Sequence, residues 1–288
     1  MTQPNTSGGW IEVQGLKVCF QRLGSGPAMV LVHGLLGYSF SWRFAGPLLA
    51  KQREVFALDM PGAGFSDCKT GLDCRLRATA NRLLKFMDAV GISACDVVGS
   101  SYGGTTALMA AALAPTRIRS LVLVSPANPW SKTGHKRLLL LRLPLLTALF
   151  PVLARPLAPI DSFFIRRMYG DPGRMTSETI RGYGLPLARP GVLEHALGIV
   201  RTWNSDMEEL KRALPAIWGI PVLLVWGSKD RVVDLESAET LAEQVHAVGT
   251  EVIRGAGHLP YEEEPQEFSR IILDFVGQHS PPDGSRRQ

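Results

Sequence analysis

The chain has 288 residues, 45% hydrophobic and 20% charged, with a formal charge of +5. That is enough apolar content for one large domain, or one domain carrying an insertion, and it excludes a disordered tail protein, a collagen-like chain and a disulfide-stapled mini-domain. The basic excess is local: residues 126–205 hold eleven Lys/Arg against four Asp/Glu. No zinc-finger spacing, basic helix with heptads or RNA-binding aromatic signature accompanies it, so nucleic acid is not expected as a partner.

Residues 1–9 are polar and expected to be loose. Stretches 10–13 and 16–22 read as two short strands around Gly15, a hairpin signal. Continuous apolar runs with β-branched residues at 28–32, 55–58, 95–98, 121–124 and 222–226 have the character of strands buried on both faces. Helical patterns lie at 76–90, 102–114, 237–248 and 265–278, with a further strand at 250–253. Strands alternating with helices predict an α/β fold, a mostly parallel central sheet flanked by helices, with two antiparallel strands leading it at one edge. The alternation stops after Val124 and resumes near Ile220. Within the gap, residues 138–160 read LLLLRLPLLTALFPVLARPLAPI. That length suits a membrane span, but Arg142, Arg155 and four prolines argue against one. The expected organisation is a core over 10–125, a helical cap inserted over 126–205, the core resumed over 206–278, and flexible ends at 1–9 and 279–288.

The four cysteines, Cys19, Cys68, Cys74 and Cys95, form no CxxC pair. The start, MTQPNTSGGW, shows no charged leader followed by an apolar run. Reduced thiols and a cytoplasmic location are therefore expected; a Cys68–Cys74 bridge would need an oxidising compartment.

The chemistry concentrates in Gly99-Ser100-Ser101-Tyr102-Gly103, a G-x-S-x-G sequence after an expected strand and before an expected helix. A sharp strand-to-helix turn lifts the central hydroxyl clear of the sheet, and it demands small residues two before and two after. Serine is a weak nucleophile at neutral pH and needs an adjacent base. Of six histidines, His258 lies in Gly255-Ala256-Gly257-His258-Leu259-Pro260, between the last strand and the last helix. That is the carboxyl edge of the sheet, where open α/β sheets place their sites. His135 and His195 fall in the cap and could line a pocket; His246 and His279 read as exposed helix residues. Asp230, just beyond the 222–226 strand, is favoured over nearby Asp234 as the carboxylate that orients the imidazole. The segment Ser125-Pro126-Ala127-Asn128, after the preceding strand, offers no carboxylate.

The order Ser101, Asp230, His258 resembles that of the α/β-hydrolase fold superfamily. The resemblance covers roughly residues 10–278. It rests on four separated motifs: His33-Gly34-Leu35-Leu36-Gly37, the Asp59-Met60-Pro61-Gly62-Ala63-Gly64-Phe65-Ser66 turn, the nucleophile elbow, and the Asp230/His258 pair. It implies a serine esterase or lipase-like member with a helical cap, whose oxyanion hole is made by the amides of Leu35 and Tyr102. His33 would then be structural. The Asp59–Ser66 stretch lacks the Gly-Lys-Ser/Thr ending of a phosphate loop and would shape the sheet edge. No HExxH, no Cys/His cluster with ligand spacing and no dinucleotide fingerprint is present, so no metal or cofactor is expected.

Haloalkane dehalogenases and epoxide hydrolases resemble this pattern but carry Asp at the elbow, where this chain has Ser101. The expected substrate is a small-molecule ester. Carbon–carbon hydrolases of ring-cleavage products remain an alternative, although they show Asn and Trp where this chain has Ser100 and Leu259. Cofactor-free perhydrolases share the triad. A non-catalytic small-molecule receptor or accessory protein is the alternative of another class. The cap combines Leu138–Leu141, Leu145, Leu146, Leu149, Phe150, Phe163 and Phe164 with Lys136, Arg137, Arg142, Arg155, Arg166 and Arg167. Such a surface suits a hydrophobic acyl chain and peripheral contact with an anionic membrane; the same leucines could equally pack the cap on itself. The pattern does not define an oligomeric state.

Overall fold

A computed structural model describes residues 6–132 and 165–279. Eight strands form one sheet: β1 (Thr6–Val13), β2 (Leu16–Leu23), β3 (Ala28–Val32), β4 (Glu54–Leu58), β5 (Cys95–Ser100), β6 (Ile118–Val124), β7 (Val222–Gly227) and β8 (Gly249–Ile253). Their spatial order is β1-β2-β4-β3-β5-β6-β7-β8. β2 runs antiparallel to both β1 and β4, and every other pairing is parallel. The antiparallel pair therefore leads the sheet at one edge.

Helices lying wholly within the described residues include α1 (Gly46–Leu49), α2 (Leu76–Ala89), α3 (Tyr102–Leu113), α4 (Ser177–Leu187), α5 (Val192–Ala213), α6 (Ser237–Val245), α7 (Pro260–Glu263) and α8 (Pro265–His279), and residues 165–168 are helical as well. Side chains alternate across a strand, so a run apolar at every position feeds two cores. Val30, Val32, Val97, Leu121, Leu123, Leu224 and Trp226 pack with α2, α3, α5 and α6 on one face. Met29, Leu31, Val98, Val122, Val124, Leu223 and Val225 pack with α1 and α8 on the other. β5, the strand leading into the elbow, is buried at all six positions, as is β7.

Two expectations need correction. Residues 6–9 are not loose: Thr6 to Gly9 extend β1, opposite Leu23 to Phe20. An antiparallel ladder is made by backbone groups, so small polar residues can continue it where hydrophobic patterning is silent. The boundary set at residue 205 falls inside α5, which runs unbroken from Val192 to Ala213. Its amphipathic face is continuous across that point, with Trp203, Asp206 and Met207 all buried. His135 and the cap residues between 136 and 164 lie outside the described residues; Arg166 is exposed and Arg167 half-buried. Among the described residues no helix is long and apolar enough to cross a membrane. All four cysteines are free thiols.

Candidate active site

Ser101 stands between β5 and α3 with φ 52 and ψ −121. A non-glycine residue there costs about 1–3 kcal/mol and persists only where its surroundings hold it. Here the Ser101 amide donates to the Val124 carbonyl at 2.9 Å, and its own carbonyl accepts from Gly104 at 3.0 Å and Ala127 at 3.1 Å. A Cβ on Gly99 would stand 2.5 Å from the Gly103 oxygen, and one on Gly103 would stand 2.3 Å from the Val32 oxygen. Those backbone approaches are why both positions must be glycine. Among the described residues the Ser101 hydroxyl makes no hydrogen bond, including to His258.

His258 lies in the loop after β8. Its Nδ1 is 2.8 Å from Asp230 Oδ2, and both side chains are almost wholly excluded from solvent. The other Asp230 oxygen accepts from the amides of Val232 at 2.7 Å and Val233 at 3.1 Å. Burial raises the Asp230 carboxyl, but the charge and hydrogen bond of His258, with the Val232 amide, outweigh it and leave the group below the ordinary carboxylate range. An ionised acceptor at Nδ1 selects the tautomer with hydrogen on Nδ1 and leaves Nε2 able to take a proton. Asp234 is engaged elsewhere: its Oδ1 accepts from the Ser131 hydroxyl at 2.6 Å and the Lys132 amide at 2.9 Å.

Four features set the imidazole loop and the helix after it in place, and sequence reasoning missed them. Glu263 accepts from the amides of Gly257 at 2.7 Å, Gly170 at 3.0 Å and Asp171 at 3.1 Å. The His258 amide donates to the Met168 carbonyl at 2.6 Å. The Ser100 hydroxyl donates to Tyr261 Oη at 3.1 Å, joining the strand before the elbow to the helix after the His258 loop. Glu262 meets Arg43 at 2.9 Å and also takes the hydroxyls of Tyr169 and Tyr183. The only sequence signal was the run Glu262-Glu263-Glu264, which normally marks a solvated helix face; Glu262 and Glu263 are instead buried at 7% and 6% exposure.

The loop after β3 passes beside the serine: a Cβ on Gly34 would be 3.0 Å from Ser101 Cβ. The Gly37 amide closes a turn on the Gly34 carbonyl at 3.0 Å. Neither the Leu35 nor the Tyr102 amide donates to a backbone carbonyl among the described residues, and Tyr102 opens α3, where first-turn amides have no helical partner. His33 fixes this loop from beneath. Its Nδ1 donates to the Gly34 carbonyl at 2.8 Å, and its Nε2 accepts from the Met60 amide at 2.9 Å. Burial pushes its pKa down, so a neutral ring fills both roles. Asp59 braces the adjoining turn by accepting from the amides of Ser39 and Phe65, each at 2.8 Å. A small cavity of about 30 Å³ opens here, with Leu35, Met60, Tyr102, His195, Ala196 and Ile199 on its wall. His246 stacks on Trp218 at 4.6 Å, and His279 lies against Phe275 at 5.0 Å. No group of three or more His, Cys, Asp or Glu among the described residues is arranged to hold a metal ion.

The chain belongs to the α/β hydrolase fold family, whose model matches residues 27–265. It is 27% identical to an uncharacterized protein of Mycobacterium tuberculosis, over 93% of this chain and 81% of that one. It is 26% identical to 2-hydroxy-6-oxo-6-phenylhexa-2,4-dienoate hydrolase of Comamonas testosteroni, over 93% of each chain. A pimeloyl-[acyl-carrier protein] methyl ester esterase of Aeromonas salmonicida is 28% identical, over 91% of this chain and 100% of its own. Among solved structures, Cfl2 from Burkholderia cenocepacia superimposes with a TM-score of 0.83 at 22% identity, over 93% of this chain and 95% of that one.

Proposed function

We propose that the protein is a serine hydrolase of carboxylic esters. Ser101 Oγ attacks the ester carbonyl and passes its proton to His258 Nε2, while Asp230 holds the imidazolium. The Leu35 and Tyr102 amides receive the oxyanion. His258 then protonates the leaving alkoxide, which departs as the alcohol. Water, deprotonated by the same ring, attacks the acyl-enzyme, and collapse returns the Ser101 hydroxyl and a carboxylic acid. Each oxyanion donor is worth about 3 kcal/mol of transition-state stabilisation. The observation that carries this reading is the buried 2.8 Å contact of His258 with Asp230, on the same carboxyl edge as a strained serine.

A second reading, hydrolysis of a carbon–carbon bond, is favoured by the Comamonas relative. Against it, the Ser100 hydroxyl is turned into the core toward Tyr261, and position 259 is a buried leucine. The Aeromonas relative, named as a methyl ester esterase, supports ester chemistry. The apolar and basic residues of 136–167 support a hydrophobic acyl chain and peripheral contact with an anionic membrane surface.

A fluorophosphonate probe is expected to label wild type and not Ser101→Ala, and the same substitution to abolish turnover of octanoyl esters. Wild-type-like rates in Ser101→Ala would refute the assignment. A preference for acetyl over octanoyl esters would refute the acyl-chain reading. Absence of an adduct on Ser101 with tight ligand binding retained would favour a receptor.

A further inference from the structure

Among the polar side chains on the wall of the cavity beside Leu35 and Tyr102 is an imidazole that the proposed chemistry leaves unused. His195, on α5, lies on its wall. Its Nδ1 is 3.3 Å from Cys74 Sγ, and that thiol donates to the Leu72 carbonyl at 3.2 Å. A thiol has one proton. In the tautomer that suits both contacts, the thiol proton goes to Leu72 and the Nδ1 hydrogen to the sulfur, which leaves a lone pair on Nε2. The ring is neutral, since burial, and then the positive charge of Arg82, push it down to about 4.

The Cδ2–Nε2 edge of this ring lies over Gly62. A Cβ at that position would stand 2.1 Å from Cδ2 and 2.4 Å from Nε2, and Gly62 has φ +92. Glycine at 62 thus makes room for the imidazole as well as for the turn. No donor reaches Nε2 among the described residues. Of the hydroxyls on the wall, Thr79 and Thr106 direct theirs to the carbonyls of Arg75 and Tyr102, while that of Tyr102 is buried with no partner among the described residues. The neighbouring wall is apolar: Leu35, Met60, Val192, Ala196 and Ile199. A lone acceptor in such surroundings selects a ligand that brings a donor.

We infer that His195 Nε2 accepts a hydrogen bond from the substrate, so that the ester carries a hydroxyl or amide N–H in the part seated in this cavity. This rests on the ester-hydrolase reading, since the Leu35 and Tyr102 amides assigned to the oxyanion share the cavity. His195 is then a specificity-determining residue and Cys74 a positioning residue that sets its tautomer.

The test uses the full chain and p-nitrophenyl esters of one acyl length: unsubstituted, with a hydroxyl at the second, third or fourth carbon, with methoxy in its place, and with an acetamido group. A parallel set of esters carries the groups on the alcohol. In wild type, kcat/KM for the best hydroxyl or acetamido ester should exceed that of its methoxy and unsubstituted partners by about tenfold, the selectivity of one well-made hydrogen bond. The hydroxyl and acetamido arms separate the two donor chemistries. His195→Phe should bring the ratio close to one. Cys74→Ala, which releases the tautomer without removing the ring, should lower it as well, and this variant carries the test if His195→Phe does not fold. Ratios near one in wild type, as a water molecule donating to Nε2 would produce, overturn the inference, as does an advantage that persists in His195→Phe. Fluorophosphonate labelling of Ser101 reports on the hydrolase reading separately. If no ester turns over, the same esters are titrated into ¹⁵N-histidine-labelled Ser101→Ala. The His195 Nε2 resonance should then move with the hydroxyl or acetamido ester and not with the methoxy ester, and an unmoved resonance overturns the inference.

Discussion

Asp230→Asn probes the proposed mechanism most directly, because the structure determines what the substitution must do. Asp230 Oδ1 serves two backbone amides at 2.7 and 3.1 Å, and Oδ2 serves His258 Nδ1 at 2.8 Å. Asparagine keeps one oxygen. Turned toward the two amides, it retains both of those bonds and presents its nitrogen, a donor, to the Nδ1–H. Turned the other way, it sets its nitrogen against two amides and forfeits both bonds. The first orientation loses less, and it drives the imidazole to the other tautomer, with hydrogen on Nε2. A ring protonated there cannot accept the Ser101 proton. The expected loss in kcat is about 10⁴-fold, the size found when this tautomer error is introduced in an unrelated serine protease, or roughly 5.5 kcal/mol of barrier. The assay is ester hydrolysis beside a thermal melt, and the melt should show a folded protein. Asp234→Asn is the control: it disturbs the Ser131 and Lys132 contacts and should leave the His258 tautomer alone. A loss below tenfold in Asp230→Asn, or an equal loss in Asp234→Asn, would refute the reasoning.

Glu263→Gln replaces one acceptor oxygen of a buried carboxylate with a donor facing the amide of Gly170 or Asp171, 3.0 and 3.1 Å away. It should cost about 1–3 kcal/mol of stability and lower kcat with little change in KM as the His258 loop loosens; an unchanged melting temperature and kcat would contradict this. Acid stability should depend on His195. Its pKa is about 4 when folded against 6.5 unfolded, so unfolding takes up a proton between those values. Its contribution is intact above pH 6.5 and lost as pH falls to 4, about 3 kcal/mol in all. His195→Phe should flatten the acid limb of stability against pH, measured by urea unfolding, and parallel curves for the two proteins would count against it.

The sheet was legible because a strand buried on both faces must be apolar throughout. Residues 28–32 appear as β3 without change, and the other strands differ from expectation mainly at their ends. Those ends were hidden because terminal residues such as Gly99, Ser100 and Gly227 pair through backbone and carry no hydrophobic signal. Position 205 misled because the charge balance changes there while the helix face does not. Glu263 was unreadable because its composition is that of a solvent-facing helix, and its burial comes from Gly170 and Asp171, some ninety positions away.

The sequence by itself determined the layered sheet, the strained turn at Ser101 and the set of side chains able to carry the chemistry, because each follows from local rules of period, residue size and backbone freedom. Only the tertiary structure decided that Asp230 and not Asp234 faces His258, that Glu263 ties down the imidazole loop, and that Cys74 lies 3.3 Å from His195 Nδ1. Those facts are distances between residues far apart in the chain, and a hydrogen bond forms only where folding has already brought donor and acceptor within about 3 Å.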